Sequence, residues 1–367
     1  MKTKRIITFI LAVTLLTSLF ACTKREAAMR LGTTAVSGGV YAYYLACYKQ
    51  YWLYALGQAD EPAFWQTVND GKSNAQRLTE ISVDAIKKRI ACAYLFDSYG
   101  LKLTSEELKS IDMMIVGINA AYEGGNAIEN DEIFKKLGIN EDDLKAVLTL
   151  DSKTGALQDH LYGEEGVSKI TDEQKEKYYR ENYYRFRLLY LMNGDFIRDE
   201  DGNIVYNEDG NATVKDITDE RYEEKLELAK TVLAEVRAGA DINGYIEEYS
   251  DELEKDDYKN GRYLSSVSEY GTLISGSVMK LQIGETGLLD SKNGIYVIQR
   301  IELDEGAWKN PENEAGGDFD NFEQLVTEYE FDAFLKPYTD KIETDGSVTE
   351  KYKMEDLPYT FSWQYLF

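Results

Sequence analysis

The sequence of 367 residues contains one histidine, His160. A Ser-His-Asp triad, a Cys-His pair or a multi-histidine metal centre each needs imidazole in a defined place. His160 sits in Leu157-Gln158-Asp159-His160-Leu161, which reads as a helix end. Histidine-based hydrolysis is therefore set aside, and neither a metal nor a cofactor is expected. Cysteine is almost as scarce: three residues, with no CxxC or zinc-type spacing. Cys47 and Cys92 each fall in an apolar, helix-like run, which leaves a disulfide between them and two buried thiols equally open. Positive charge is in deficit, with 41 Lys+Arg against 66 Asp+Glu and a formal net charge of −25. Such a body repels nucleic acid and anionic lipid, so nucleic-acid binding is excluded. The acidity serves solubility first, and attraction to basic unfolded chains second. The N-terminal apolar run, from Ile6 to Leu16, is shorter than the roughly 20 residues that span a bilayer.

That short run has a different use. Lys2, Lys4 and Arg5 precede it, as in an export signal. Leu19-Phe20-Ala21-Cys22 follows and resembles the lipobox of bacterial lipoproteins, with Cys22 as the first mature residue. The resemblance implies a signal peptide over residues 1–21, diacylglycerol on the Cys22 thiol, and a protein held at the extracytoplasmic face of the cell membrane. Each buried CH₂ contributes about 0.8 kcal/mol, so two or three acyl chains anchor stably. Residues 22–35 read as a tether.

From residue 36 to residue 182 the periodicity is helical. Val40, Tyr41, Tyr43, Tyr44, Cys47, Tyr51, Trp52 and Leu53 recur at three- and four-residue spacing, and Ile81, Val83, Ile86, Ile90, Ala93, Tyr94 and Leu95 make a second stripe. Thr104-Ser105-Glu106-Glu107 and Thr171-Asp172-Glu173-Gln174 carry N-cap chemistry. At Tyr183 the pattern becomes β-rich, through Phe186-Arg187-Leu188-Leu189-Tyr190-Leu191-Met192. Two Asp-Gly turn signals, at Asp201-Gly202 and Asp209-Gly210, mark a hairpin excursion over residues 195–216. Counting back from either glycine places Ile197 or Val205 where an EF-hand needs its first ligand, so these are turns rather than calcium loops. An amphipathic helix follows over Arg221–Ala238, then short helices near 242–249 and 274–281, a strand over Gly294–Ile301, and a last helix from about Phe319 to Ile342.

The stretch 183–303 resembles a parvulin-type peptidyl-prolyl isomerase domain. The matching pieces are Tyr249-Ser250-Asp251, the turn Asn260-Gly261-Arg262-Tyr263-Leu264, the segment Met279 to Thr286, and the closing Gly294-Ile295-Tyr296-Val297-Ile298. Ahead of it, Ile170-Thr171-Asp172-Glu173-Gln174 with Tyr178-Tyr179 and Asn182 resembles the entry to this domain in SurA/PrsA-type foldases. The resemblance implies an α+β fold: a helical chaperone-like domain over residues 36–182, an inserted small α/β parvulin-like domain over 183–303, and a C-terminal helix and tail over 304–367 packing on the helical part. It also implies a degenerate active site. The two parvulin histidine positions fall on Leu188 and Tyr296, and the acid or cysteine position on Glu252. Met192, Tyr263, Met279 and Tyr296 are expected to line an apolar groove.

The function expected is that of a lipid-anchored extracytoplasmic chaperone or foldase. It would hold newly secreted, unfolded polypeptides on the aromatic stripes from Tyr43 to Trp65, with isomerase activity lost. An active isomerase with a histidine-free pocket is the first alternative, and a solute- or glycan-binding lipoprotein the second; the latter lacks the alternating βαβ pattern of periplasmic binding folds.

Overall fold

In the computed structural model the first described residues form a strand, not a tether. The structure describes residues 26–69, 71–120, 125–267, 272–309, 319 and 321–358. The signal peptide and Cys22 lie outside the described residues. β1 (Ala27–Leu31) turns through Gly32, whose φ of 57° suits a residue without Cβ, into β2 (Thr34–Ser37). β1 lies between β2 and the short strand Glu343–Thr344, with Met29 opposite Thr344. Ala28, Met29 and Leu31 are buried. Residues 27–35, expected to belong to a tether over 22–35, are ordered here, because apolar side chains and backbone groups are claimed by the core and by a strand from the far end of the chain.

The chain divides into two units, Met1–Lys169 with Phe331–Phe367, and Ile170–Glu330. In the first unit, Ser37 caps α1 (Gly38–Ala55) by accepting the Val40 N–H at 3.2 Å. Capping boxes, Ser73 with Gln76 and Asn140 with Asp143, start α2 (Asn74–Ser98) and α4 (Glu141–Tyr162); α3 (Ser105–Ala120) lies between them in sequence. α2 packs on α1 and α4. Their shared core holds Tyr44, Leu45, Leu53, Ile86, Ile90, Leu144, Val147 and Leu157. Each buried Leu or Ile contributes about 1.5–3 kcal/mol. Phe331, Leu335, Val348, Met354 and Leu357 join the same core from the C-terminal end. Cys47 and Cys92 are free thiols. His160 stands in the last turn of α4, its ring 6.0 Å from that of Tyr99.

The second unit opens on α5 (Asp172–Asn182), started by the Thr171–Gln174 capping box. Sequence periodicity assigned this helix to the helical domain. In the structure it belongs with the sheet, because Tyr178 and Tyr179 pack with Tyr183, Tyr263, Phe319 and Phe322. β3 (Tyr183–Met192) leads through the excursion to α6 (Asp219–Arg237), α7 (Ile242–Tyr249) and α8 (Lys255–Asn260). Then come β4 (Arg262–Ser265), α9 (Thr272–Lys280), β5 (Thr286–Ser291) and β6 (Gly294–Ile301). The sheet order is β4-β3-β6-β5, every neighbour antiparallel. α8 is the one helix of this run that sequence reading left as polar loop. The boundary between the units falls inside α10 (Phe322–Thr339).

The excursion is rooted by pairing of Asp195–Phe196 with Val214–Lys215. It contains two near-identical loops, Asp199-Glu200-Asp201-Gly202-Asn203 and Asn207-Glu208-Asp209-Gly210-Asn211. In each, the first side chain accepts two main-chain N–H groups: Asp199 from Asp201 and Asn203, Asn207 from Asp209 and Asn211. These are turns built on their own carboxylate or amide oxygen, as expected. Ile197, Val205 and Thr213 close a ring of three backbone hydrogen bonds, Val205 N to Ile197 O, Thr213 N to Val205 O, and Ile197 N to Thr213 O, at 2.8–2.9 Å.

Candidate functional site

Strand alternation sends β3 side chains to two faces. Leu189 and Leu191, with Ile295 and Val297 of β6, pack with Ala229, Val232, Val236, Ile242 and Ile246 from α6 and α7. Phe186 and Leu188, with Tyr296 and Ile298, form the other face, covered by Tyr258 of α8 and by Ile274, Val278 and Met279 of α9. The register pairs Leu188 with Ile298 and Tyr190 with Tyr296. The two positions implied by the resemblance, Leu188 and Tyr296, thus share one sheet face and one cluster.

Tyr296 stacks on Tyr190, ring centroids 4.8 Å apart and planes 13° from parallel. The Tyr190 hydroxyl donates to the Asn293 carbonyl at 2.9 Å. Burial, helped by the neighbouring Tyr296 and Glu252, pushes the Tyr190 phenol well above the usual tyrosine range, so it stays neutral. Glu252 is half-buried. Its carboxyl is raised by burial, against the pull of the Arg262 guanidinium. Arg262 itself lies 5.5 Å from the Tyr258 ring centroid.

Tyr249-Ser250-Asp251 has a structural job along the main chain of β3. Ser250 Oγ accepts the Tyr190 N–H at 3.2 Å, Asp251 N donates to the Tyr190 carbonyl at 2.8 Å, and Asp251 Oδ2 accepts the Met192 N–H at 2.9 Å. Behind Asp251 stands Lys225 of α6, buried, with Nζ donating to the carbonyls of Met192 and Gly194 at 2.8 Å each and to Asp251 at 3.2 Å. These contacts fix the end of β3 and the root of the excursion. Tyr190, Asp251 and Lys225 were missed as site-shaping residues. The available signal was the antiparallel pairing that sets Tyr190 across from Tyr296.

The four residues expected to line one groove are not together. Met279 and Tyr296 share the cluster described above. Tyr263 is in another, its hydroxyl donating to Asp304 Oδ2 at 2.9 Å and its ring 5.2 Å from the Arg185 guanidinium. Met192 lies at the strand end, its main chain taken by Asp251 and Lys225. Hollows of about 580 and 610 Å³, both lined by Asp172, Trp308 and Lys309, share no lining residue with the Leu188–Tyr296 face. Among the described residues no group of His, Cys, Asp and Glu is arranged to hold a metal ion. The face holds the Tyr190 and Tyr296 phenols, one half-buried carboxyl and apolar side chains buried beneath α8 and α9.

The aromatic stripe of the first unit, expected to meet clients, is open in part. Tyr41, Tyr43, Tyr44 and Trp65 are core residues. Open apolar surface remains at Tyr51 and Tyr54 of α1, 42% and 73% exposed, and at Met113, Met114 and Val116 of α3, 58%, 48% and 67% exposed.

No family model matches the chain, and no curated protein matches it. Solved structures do. The foldase protein PrsA of Streptococcus pneumoniae is 12% identical, with a TM-score of 0.23 and coverage of 82% of this chain and 96% of that one. PrsA of Bacillus subtilis is also 12% identical, with a TM-score of 0.23 and coverage of 80% and 93%. A structure from the pair of SurA-like chaperones PEB4 and Cj1289 of Campylobacter jejuni is 12% identical, with a TM-score of 0.21 and coverage of 75% and 93%.

Proposed function

We propose that the protein is a lipid-anchored extracytoplasmic holding chaperone of the foldase type, with its isomerase activity lost. Unfolded exported polypeptides are its clients. The observation that carries this reading is the open apolar surface on the helical unit, at Met113, Met114, Val116 and Tyr54. Methionine is unbranched and polarizable, so such a surface adapts to clients of different sequence. The loss of catalysis is read from Leu188 and Tyr296, the positions that the resemblance gives to the paired histidines; both pack among apolar neighbours. The lipid on Cys22 supplies the membrane anchor. Among the described residues no helix is long and apolar enough to cross a membrane.

The test uses the chain from Thr23 onward. A protease-coupled assay on Xaa-Pro peptides should give background rates, while aggregation of a denatured reporter protein should be suppressed at equimolar chaperone. A clear isomerase rate would make the active-enzyme alternative correct and direct mutagenesis to Tyr190, Glu252 and Tyr296. Unchanged aggregation would overturn the chaperone reading.

A further inference from the structure

Lys49 of α1 is fully buried, with its amine held by three acceptors. Nζ donates to the main-chain carbonyls of Leu357 at 2.8 Å and Glu355 at 3.1 Å, and pairs with Asp60 Oδ2 at 2.9 Å. Trp65 completes the site. Its Nε1 donates to Asp60 Oδ1 at 2.7 Å, and its ring centroid is 5.3 Å from the lysine nitrogen. A lysine taken out of water needs partners of this kind, or its desolvation goes uncompensated. Here two of the partners are backbone carbonyls of a passing chain, which carry no sequence information.

The chain so held runs Lys353 to Leu357. Lys353 and Leu357 have extended backbones, with a single 3₁₀ turn over Met354–Asp356 between them. Met354 and Leu357 are buried in the core of the first unit, while Lys353, Glu355 and Asp356 face solvent. Two apolar side chains and two carbonyls therefore attach the segment, and it joins no sheet.

We propose that Lys49, Asp60 and Trp65 form a peptide-binding site, occupied in this state by the protein's own residues 353–357, which an unfolded polypeptide enters by displacing that tail. The proposal rests on the chaperone reading and names where that activity is gated. The ligand is a segment with two apolar side chains spaced like Met354 and Leu357, presenting two carbonyls to the lysine. Main-chain recognition with apolar pockets tolerates many sequences. Departure of the tail alone would leave the Lys49 amine with the Asp60 carboxylate and the Trp65 ring face but without either carbonyl, so replacement of one chain by another is favoured over an empty site.

Hydrogen exchange on the chain from Thr23 onward tests this, with reduced, carboxymethylated α-lactalbumin as a permanently unfolded probe. Probe binding should speed exchange over Tyr352–Pro358. A chain ending at Glu350 should bind the probe about tenfold more tightly, as expected when about nine-tenths of the sites are self-occupied. Adding Lys49→Met with Asp60→Asn to that shortened chain should abolish the gain. If the shortened chain does not fold, the exchange measurement on the longer chain still decides. Probe bound with tail exchange unchanged overturns the Lys49 site and leaves the chaperone reading standing. No binding by either chain overturns both.

Discussion

Lys225→Met is the most informative single change in the sheet unit. The substitution keeps an unbranched apolar side chain and removes every donor. In the parent, Nζ serves Met192 O, Gly194 O and Asp251 Oδ2, with Asp195 Oδ1 further off at 3.6 Å. Breaking a buried ion pair from one side costs about 3–5 kcal/mol, and each orphaned buried acceptor about 1–3 kcal/mol. These overlap rather than add. Asp251 is 28% exposed in its side chain and keeps the Met192 N–H, which places the cost at the low end, about 3 kcal/mol. For a unit of this size each kcal/mol lowers Tm by about 2–4 °C, so we predict a fall of about 6–12 °C in the transition of the second unit. Differential scanning calorimetry measures it, with hydrogen exchange assigning the transition to the second unit. Exchange in residues 195–216 should also accelerate, because Gly194 loses its tie. Adding Asp251→Asn should recover part of the loss. A Tm drop below about 2 °C would refute the idea that Lys225 secures the root of the excursion.

Three further outcomes follow from the same geometry. Glu252→Gln should raise the urea midpoint at neutral pH and leave it unchanged below the ordinary glutamate value of 4.5, because burial favours the protonated carboxyl. The sign is that of a raised acid: its contribution is present below the unfolded value and is lost as pH rises through the folded one. An equal or lower midpoint for the glutamine variant at neutral pH would contradict it. In the chain from Thr23 onward, neither Cys47 nor Cys92 should react with a disulfide-exchange reagent at neutral pH, and both should react in denaturant. Burial pushes both thiols up, Cys92 to about 12. Gly261→Ala should destabilise the second unit by about 1–3 kcal/mol. Its φ is +96°, and a Cβ there would sit 2.6 Å from Ile301 Cδ1 and 2.7 Å from Arg185 Nε. A midpoint within error of the parent would disprove it.

Much of the architecture was legible in local chemistry. Helix starts carried their caps in sequence, as Thr171 with Gln174 shows, and the β-rich run from Tyr183 became β3. What could not be read depended on partners distant in the chain. Ala27–Leu31 is too short to declare itself a strand until Glu343–Thr344 is beside it. Periodicity marks the apolar face of α1 without saying how much of it is covered; α2, α4 and the C-terminal segment bury Tyr41, Tyr43 and Tyr44 and leave Tyr51 and Tyr54 exposed. The candidate site was half legible. The resemblance named Leu188 and Tyr296, which pairing of β3 with β6 brings to a common face, but Tyr263 is drawn away by Tyr179 and Phe319, and nothing local reveals that Lys225 reaches Asp251.

The ring joining Ile197, Val205 and Thr213 bears on how this protein can change over evolutionary time. Each member gives one main-chain bond and takes one, so the ring is complete at three. Copying or deleting one Asp-Gly loop would open the ring and leave a donor and an acceptor facing nothing. Variation here should therefore appear as loss or gain of the whole module between Gly194 and Asp216, where the chain leaves β3 and goes on to α6, while residues at the loop tips drift freely.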